Sequence, residues 1–219
     1  MIKGAIFDFD GTLFDSMFIW DTIGEDYLRS IGYTPREDLN KTFKSMSLYQ
    51  AACYYRSEYG VTRTVDEIMS GVNQMIEHYY KDVVLPKKNA ELFLQMLKER
   101  DVKLCIATAT DRYLVESALV RFGLDGYFSE IFTCSSVGSG KDNPVIFREA
   151  MHHLGTEKHS TFVFEDALYA VKTAKCDGFS VVGIYDKYEE NQTAVKELAD
   201  FYLTDYLQFE NFWKYASGR

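Results

Sequence analysis

The sequence predicts an α/β fold, a doubly wound and mainly parallel sheet with an α-helical cap domain inserted after the first strand. Three observations predict it. Six short apolar runs, rich in β-branched and aromatic residues, recur along the 219 residues, and apolar character without alternation suggests strands buried on both faces. Longer periodic stretches separate most of them, as helical right-handed crossovers between parallel strands require. One interval, Ser16 to about Asp82, breaks this rhythm and holds only amphipathic pieces.

In chain order, "IKGAIF" reads as the first strand and runs directly into "DFDGTLFDS". The interval that follows carries "FIWDTIGEDYLRSIG", "LYQAACYYRSEYG" and "TVDEIMSGVNQMIEHYY", three helical patterns. Pro86 and its flanking lysines make a return hinge near "VVLPKKN". Helix "NAELFLQMLKER" then leads to strand "VKLCIA", helix "RYLVESALVRFG" to strand "EIFTC", and helix "NPVIFREAMHHLG" to strand "TFVF". Helix "ALYAVKTAKCDGF" precedes the strands "SVVGIY" and "FYLT". Gly123, Gly155 and Gly178 stand where helices are expected to end. Residues 1–15 and 83–219 are thus assigned to the α/β core and 16–82 to the cap, with no internal repeat and no low-complexity segment.

Hydrophobic residues make up 47% of the chain and aromatics 16%, enough for a substantial core. The net charge of −9 argues against nucleic acid as a partner. It leaves room for a small phosphorylated metabolite, because a metal and one or two local cations offset the global field. Cys53, Cys105, Cys134 and Cys176 are far apart and show no zinc spacing, so buried reduced thiols are expected. His152 and His153 are adjacent and would point in different directions on a helix; they, His78 and His159 read as structural or surface residues. No apolar stretch approaches the roughly 20 residues that span a bilayer, and the first residues lack a signal-peptide pattern. A soluble cytoplasmic protein is expected, without membrane association, as a monomer or at most a weak dimer.

Ligands of open parallel sheets bind beyond the carboxyl ends of the strands, so the polar residues after each run matter most. They are Asp8 and Asp10 after the first run, Thr108 after the second, and Glu165 and Asp166 after the fourth. Lys141 follows the third run after the loop "SSVGSGK". Each has a bland reading: Asp-Gly is a turn pair, Thr108 or Asp166 caps a helix, Lys141 is a surface lysine. Together they place acid, hydroxyl and cation at one edge of one sheet. Carboxylates gathered there raise one another's pKa unless a cation holds them. Mg²⁺ suits such hard oxygens and retains waters beside a substrate phosphate, and a lysine opposite holds phosphate as a point charge. The pattern reads as phosphoryl transfer with a carboxylate nucleophile.

The motifs "DFDGTLFDS", "CIATAT", "GKDNPVIF" and "VFEDA", in this order and spacing, resemble the haloacid dehalogenase superfamily. The likeness is to its branch with a helical (C1-type) cap on a Rossmann-like core, which includes β-phosphoglucomutase and phosphoglycolate phosphatase. The resemblance implies that Asp8 attacks phosphorus to form an aspartyl-phosphate, and that Asp10 acts as general acid and then general base. It implies catalytic roles for Thr108 and Lys141, and phosphate contacts from Thr108, Ala109, Lys141 and Gly11. It implies Mg²⁺ held by Asp8, the backbone carbonyl of Asp10 and Asp166, with Glu165 beside it or acting through water.

Departures from the family pattern lie at Ala167 and Ala170, where Ser and Gly are frequent, and at Asp142, where Pro is frequent. The second aspartate, Asp10, favours phosphoryl transfer over dehalogenation, since halide displacement needs no acid. The related mutase carries a His in the first cap helix and an Arg in the cap. Here Trp20 stands at the first position and Lys44 in the loop "KSMSLYQ", which favours a phosphatase with the mutase as alternative. A phosphonate-cleaving hydrolase using Lys41 or Lys44, and an inactive binding module, are the remaining readings. Trp20, Lys44, Met46 and Tyr49 are the expected substrate contacts from the cap; the competing reading packs Trp20 and Tyr49 into the cap's core.

Overall fold

The central strand of the sheet, β1 (Gly4–Phe7), is also the first in sequence. The structure, a computed structural model, describes every residue except Asp38, Lys44, Ser45 and Arg219. After β1 come β2 (Phe14–Asp15) and helices α1 (Met17–Trp20), α2 (Ile23–Ser30), α3 (Leu39–Phe43), α4 (Leu48–Tyr59) and α5 (Val65–His78). A π-helical turn, Tyr79–Val83, leads from α5 to β3 (Leu85–Pro86). The chain continues through α6 (Ala90–Lys98), β4 (Lys103–Thr108), α7 (Arg112–Arg121), β5 (Ile131–Thr133), α8 (Cys134–Val137) and α9 (Val145–Leu154). It closes with β6 (Thr161–Glu165), α10 (Leu168–Cys176), β7 (Ser180–Ile184), α11 (Gln192–Leu198), β8 (Phe201–Leu203) and α12 (Phe209–Ser217).

The six apolar runs of the sequence become the six strands of one parallel sheet, in the order β5-β4-β1-β6-β7-β8. From β1 the chain first builds outward to β4 and β5, then returns to the other side of β1 for β6, β7 and β8. That reversal makes the carboxyl ends of β4, β1 and β6 the topological switch point, where doubly wound sheets bind ligands. Burial on both faces explains the unbroken apolar runs. Phe7 faces α6, α7 and α12, whereas its neighbour Ile6 faces α9, α10 and α11. Phe7 also stacks on its cross-strand partner Phe164 with ring centroids 4.1 Å apart, a pairing that contributes about 0.5–1.5 kcal/mol beyond area burial.

Between β2 and β3 lie only helices among the described residues, as the broken rhythm predicts. One detail escaped the pattern. The two linkers pair as an antiparallel ribbon, Phe14 with Pro86 and Asp15 with Leu85, so Pro86 sits in a two-residue strand rather than an open hinge. Two residues per strand are too few for any periodicity to reveal.

Capping boxes fix the phase of the long cap helices. Ser47 and Gln50 close the start of α4, and Thr64 and Glu67 that of α5. Gly155 ends α9 at φ 63°, and Gly123 and Gly178 also take positive φ after α7 and α10. All four cysteines are free thiols. Burial holds for Cys105 and Cys134 only; Cys53 is half-buried, and Cys176, at the last position of α10, is exposed. No described helix is long and apolar enough to cross a membrane.

Candidate active site

The residues after β1 form a tight loop. Leu13 and Phe14 donate backbone N–H groups to the Phe9 carbonyl, and Gly11 N–H donates to Phe14 O. Alternation at the strand end sends Phe9 into the apolar cluster, stacked on Phe14 with ring centroids 4.5 Å apart. Asp8 and Asp10 are thereby left facing the cleft, which they line. Gly11 has φ +77°, and a Cβ there would lie 2.3 Å from Asp166 Oδ2. Only glycine lets the loop approach the β6 carboxylate so closely.

Three buried carboxylates, Asp8, Glu165 and Asp166, offer oxygens all within 4.8 Å of one another. Lys141 reaches them from the loop before α9, hydrogen-bonding Asp8 Oδ1 and, at 2.5 Å, Glu165 Oε1. One lysine cannot neutralise three acids. Burial above all pushes Asp8 up to about 8, with the negative charges of Glu165 and Asp10 adding to it and Lys141 opposing it. Burial likewise raises Glu165. Asp166 is raised well above its usual range by burial and by Asp8, Glu165 and Asp186, despite the Thr12 hydroxyl bonded to its Oδ1 at 2.9 Å. For Lys141 burial pulls the other way, but Asp8 and Glu165 outweigh it and hold the ammonium charged. Glu165 Oε2 is buried with no hydrogen-bond partner. An acid cluster with surplus negative charge and an orphaned carboxylate oxygen fits a hard divalent cation.

Asp10 is treated differently. Its oxygens accept hydrogen bonds from Ser16 Oγ, Tyr80 Oη and Thr110 Oγ1, each at 2.6 Å. None of these hydroxyls figures among the sequence-predicted site residues, and neither does that of Thr12, which bonds Asp166. Thr108 is fully buried at the end of β4, and its hydroxyl accepts the Thr110 N–H at 3.1 Å. The cleft is lined there by Ala109 and Thr110 instead. A hydroxyl two residues past Thr108 was the available signal for Thr110.

The opposite wall belongs to the cap. Trp20 and Met46 line the cleft, joined by Ile23, Phe43, Leu48, Tyr55 and Val72. Tyr49 does not. It is 56% exposed, because the capping box at Ser47 turns Leu48 and Ala51 inward and Tyr49 out. Lys44 lies outside the described residues, and Lys41 stands in the last turn of α3. At the rim Gln50 donates to Asp142 at 3.4 Å and Asn73 to Asp111 at 2.5 Å. Asp142, a departure from the resembled pattern, thus serves as a cap contact beside Lys141. The enclosed space is about 170 Å³.

The family profile described as haloacid dehalogenase-like hydrolase matches residues 5–184. A phosphorylated carbohydrates phosphatase of Thermotoga maritima is 22% identical over 177 residues, 81% of this chain and 82% of that one. A validoxylamine A 7'-phosphate phosphatase of Streptomyces hygroscopicus is 26% identical over 205 residues, covering 94% of both. Among solved structures, CbbY of Rhodobacter sphaeroides in complex with phosphate superposes with a TM-score of 0.81 at 18% identity, over 94% of this chain and 95% of that one. A β-phosphoglucomutase of Clostridium difficile gives 0.78 at 16% identity, over 100% and 98%. These two likenesses establish the shared fold.

Proposed function

Because the chain belongs to the haloacid dehalogenase-like hydrolase family, we propose that it is a Mg²⁺-dependent phosphatase of a small phosphorylated metabolite. The observation that carries this reading is the meeting of Asp8, Glu165 and Asp166 around Lys141 at the switch point of the sheet. The phosphatases among its relatives support it.

In this reading Asp8 is the nucleophile. One of its oxygens bonds to phosphorus as the bond to the leaving oxygen breaks, and Asp10 gives its proton to that oxygen. Asp10, now a carboxylate, takes a proton from water as the water oxygen bonds to phosphorus and the Asp8–phosphorus bond breaks. Lys141 neutralises charge on the transferring group, and the backbone N–H of Ala109, with the Thr108 hydroxyl, supplies donors to its oxygens, whereas the Gly11 N–H is taken by the Phe14 carbonyl. Asp8, Asp166 and the Asp10 carbonyl would hold Mg²⁺, with Glu165 alongside or through water. Bound there, the ion neutralises phosphoryl oxygens and the acid cluster together.

Residues 16–82 act as the cap and the remainder as the core, and the enzyme works as a cytoplasmic monomer. The apolar wall of Trp20, Ile23, Phe43, Leu48, Tyr55 and Val72 receives the leaving group. No histidine or arginine stands among the described residues lining the cleft, which favours hydrolysis over the mutase alternative. The test is Mg²⁺-dependent phosphate release from a panel of phosphate monoesters, wild type against Asp8→Asn. Turnover by the wild type that Asp8→Asn abolishes supports the reading; equal turnover by both, or none by the wild type, overturns it.

A further inference from the structure

The hydrogen bonds on Asp10 carry information beyond its role as acid and base. Oδ1 accepts from both Ser16 and Tyr80, and Oδ2 accepts from Thr110. A carboxylate offers about four lone-pair sites, so two hydroxyls fill Oδ1 while Oδ2 keeps one site open. Tyr80 has a fixed sense. The indole N–H of Trp20, a donor only, occupies the acceptor side of the Tyr80 hydroxyl at 3.0 Å, which leaves the phenol proton for Asp10. Packing places the ring, because Tyr80 is fully buried and stacks on Phe9 at 6.1 Å. The π-helical turn at Tyr79–Val83 turns Tyr80 inward while Tyr79 packs on His78, and such turns recur at functional sites.

We propose that Tyr80, oriented by Trp20, is a positioning residue for Asp10: together with Ser16 it saturates Oδ1 and confines proton exchange with the leaving oxygen and water to Oδ2. The inference rests on the acid/base role assigned to Asp10 above. It gives Trp20 a role distinct from substrate contact, and it makes the linker leaving the cap part of the proton-transfer apparatus.

The test compares kcat/KM, which reports the steps up to departure of the alcohol, across 4-nitrophenyl, phenyl and alkyl phosphates. A 4-nitrophenolate leaves without a proton, whereas an alkoxide needs one. Tyr80→Phe keeps the ring and should lose roughly 10–100-fold on alkyl phosphates, part of the general-acid contribution, and about threefold or less on 4-nitrophenyl phosphate. Ser16→Ala, a smaller change in the other Oδ1 donor, should show the same dependence on the leaving group. The double variant Asp10→Asn/Tyr80→Phe should be no slower than Asp10→Asn alone. If Tyr80→Phe loses one factor on every ester and adds to Asp10→Asn, or matches the wild type throughout, the inference is overturned while the phosphatase reading stands. A wild type inactive on all three esters overturns both.

Discussion

Two walls face each other across the cleft, and they are held in place by different forces. The sheet edge gathers Asp8, Asp10, Lys141, Glu165 and Asp166 below the surface and fixes them with ionic and hydroxyl hydrogen bonds. The cap wall presents side chains such as Ile23, Phe43 and Val72, positioned by packing and helix phase alone. A buried charge unpaired costs several kcal/mol, so the first wall tolerates few substitutions and its geometry is closely specified. An apolar wall loses only contact area on substitution, so it adapts to different leaving groups. Apart from Ser16 and Tyr80, which hold Asp10, chemistry belongs to the first wall and choice of substrate to the second.

If that division holds, changes at the sheet edge strike turnover and changes in the cap strike selectivity. The largest effect is expected for Asp8→Asn, a fall in kcat on the order of 10⁵-fold or more, as for loss of a covalent nucleophile. Asp10→Asn should slow turnover of alkyl phosphates roughly 10²–10⁴-fold while leaving Mg²⁺ binding, followed by calorimetry, largely intact. Gly11→Ala sets a methyl group against Asp166 in a left-handed backbone conformation. Its strain of about 1–3 kcal/mol should appear as a weaker Mg²⁺ affinity by roughly 5–150-fold. Phe43→Ala should be mildest, changing kcat/KM about tenfold and differently for each ester, with phosphate release from the best substrate retained. A cap variant that abolished turnover of every ester would break the comparison.

The acid cluster also makes a pH prediction. Asp8 rises from an ordinary 3.8 to about 8 on folding, and Glu165 and Asp166 move in the same direction. The folded metal-free protein therefore binds protons that the unfolded chain releases. Its stability from these groups is greatest below about pH 4 and declines as pH rises toward 8. Lys141, raised as well, keeps its contribution across that window. Mg²⁺ must displace the bound protons, so its affinity should increase from pH 6 to pH 8 with proton release detectable in weakly buffered titrations. Affinity independent of pH would contradict the cluster's charge balance.

How much of this the sequence disclosed follows from the same contrast. Strands buried on both faces leave unbroken apolar runs, so all six were legible, and with them the sheet edge that gathers Asp8, Lys141 and Asp166. Contacts between residues distant in the chain leave no such trace. Tyr80 lies 70 positions from Asp10, Thr110 lies 100 from it, and Thr12 lies 154 from Asp166; nothing local marks Tyr80 or Thr12 as a partner, and Thr110 is marked only by its place two residues past Thr108. Tyr80 closes the amphipathic pattern "TVDEIMSGVNQMIEHYY", which carries no mark of a distant carboxylate. In the cap, adjacent residues take opposite fates according to helix phase, so Leu48 lines the cleft while Tyr49 faces solvent. The aromatic density there signals burial without saying which ring faces the cleft.

Whether Asp8 carries the phosphoryl group is the point on which the account turns. Asp10→Asn, given 4-nitrophenyl phosphate with Mg²⁺, should be phosphorylated without needing an acid and then hydrolyse slowly for want of a base. Acid quenching during turnover, followed by peptide mass spectrometry, should find one phosphoryl group, on the peptide containing Asp8 and on that residue. Phosphate release with no covalent phosphoryl group at any time point, or with the group on another residue, would contradict the account.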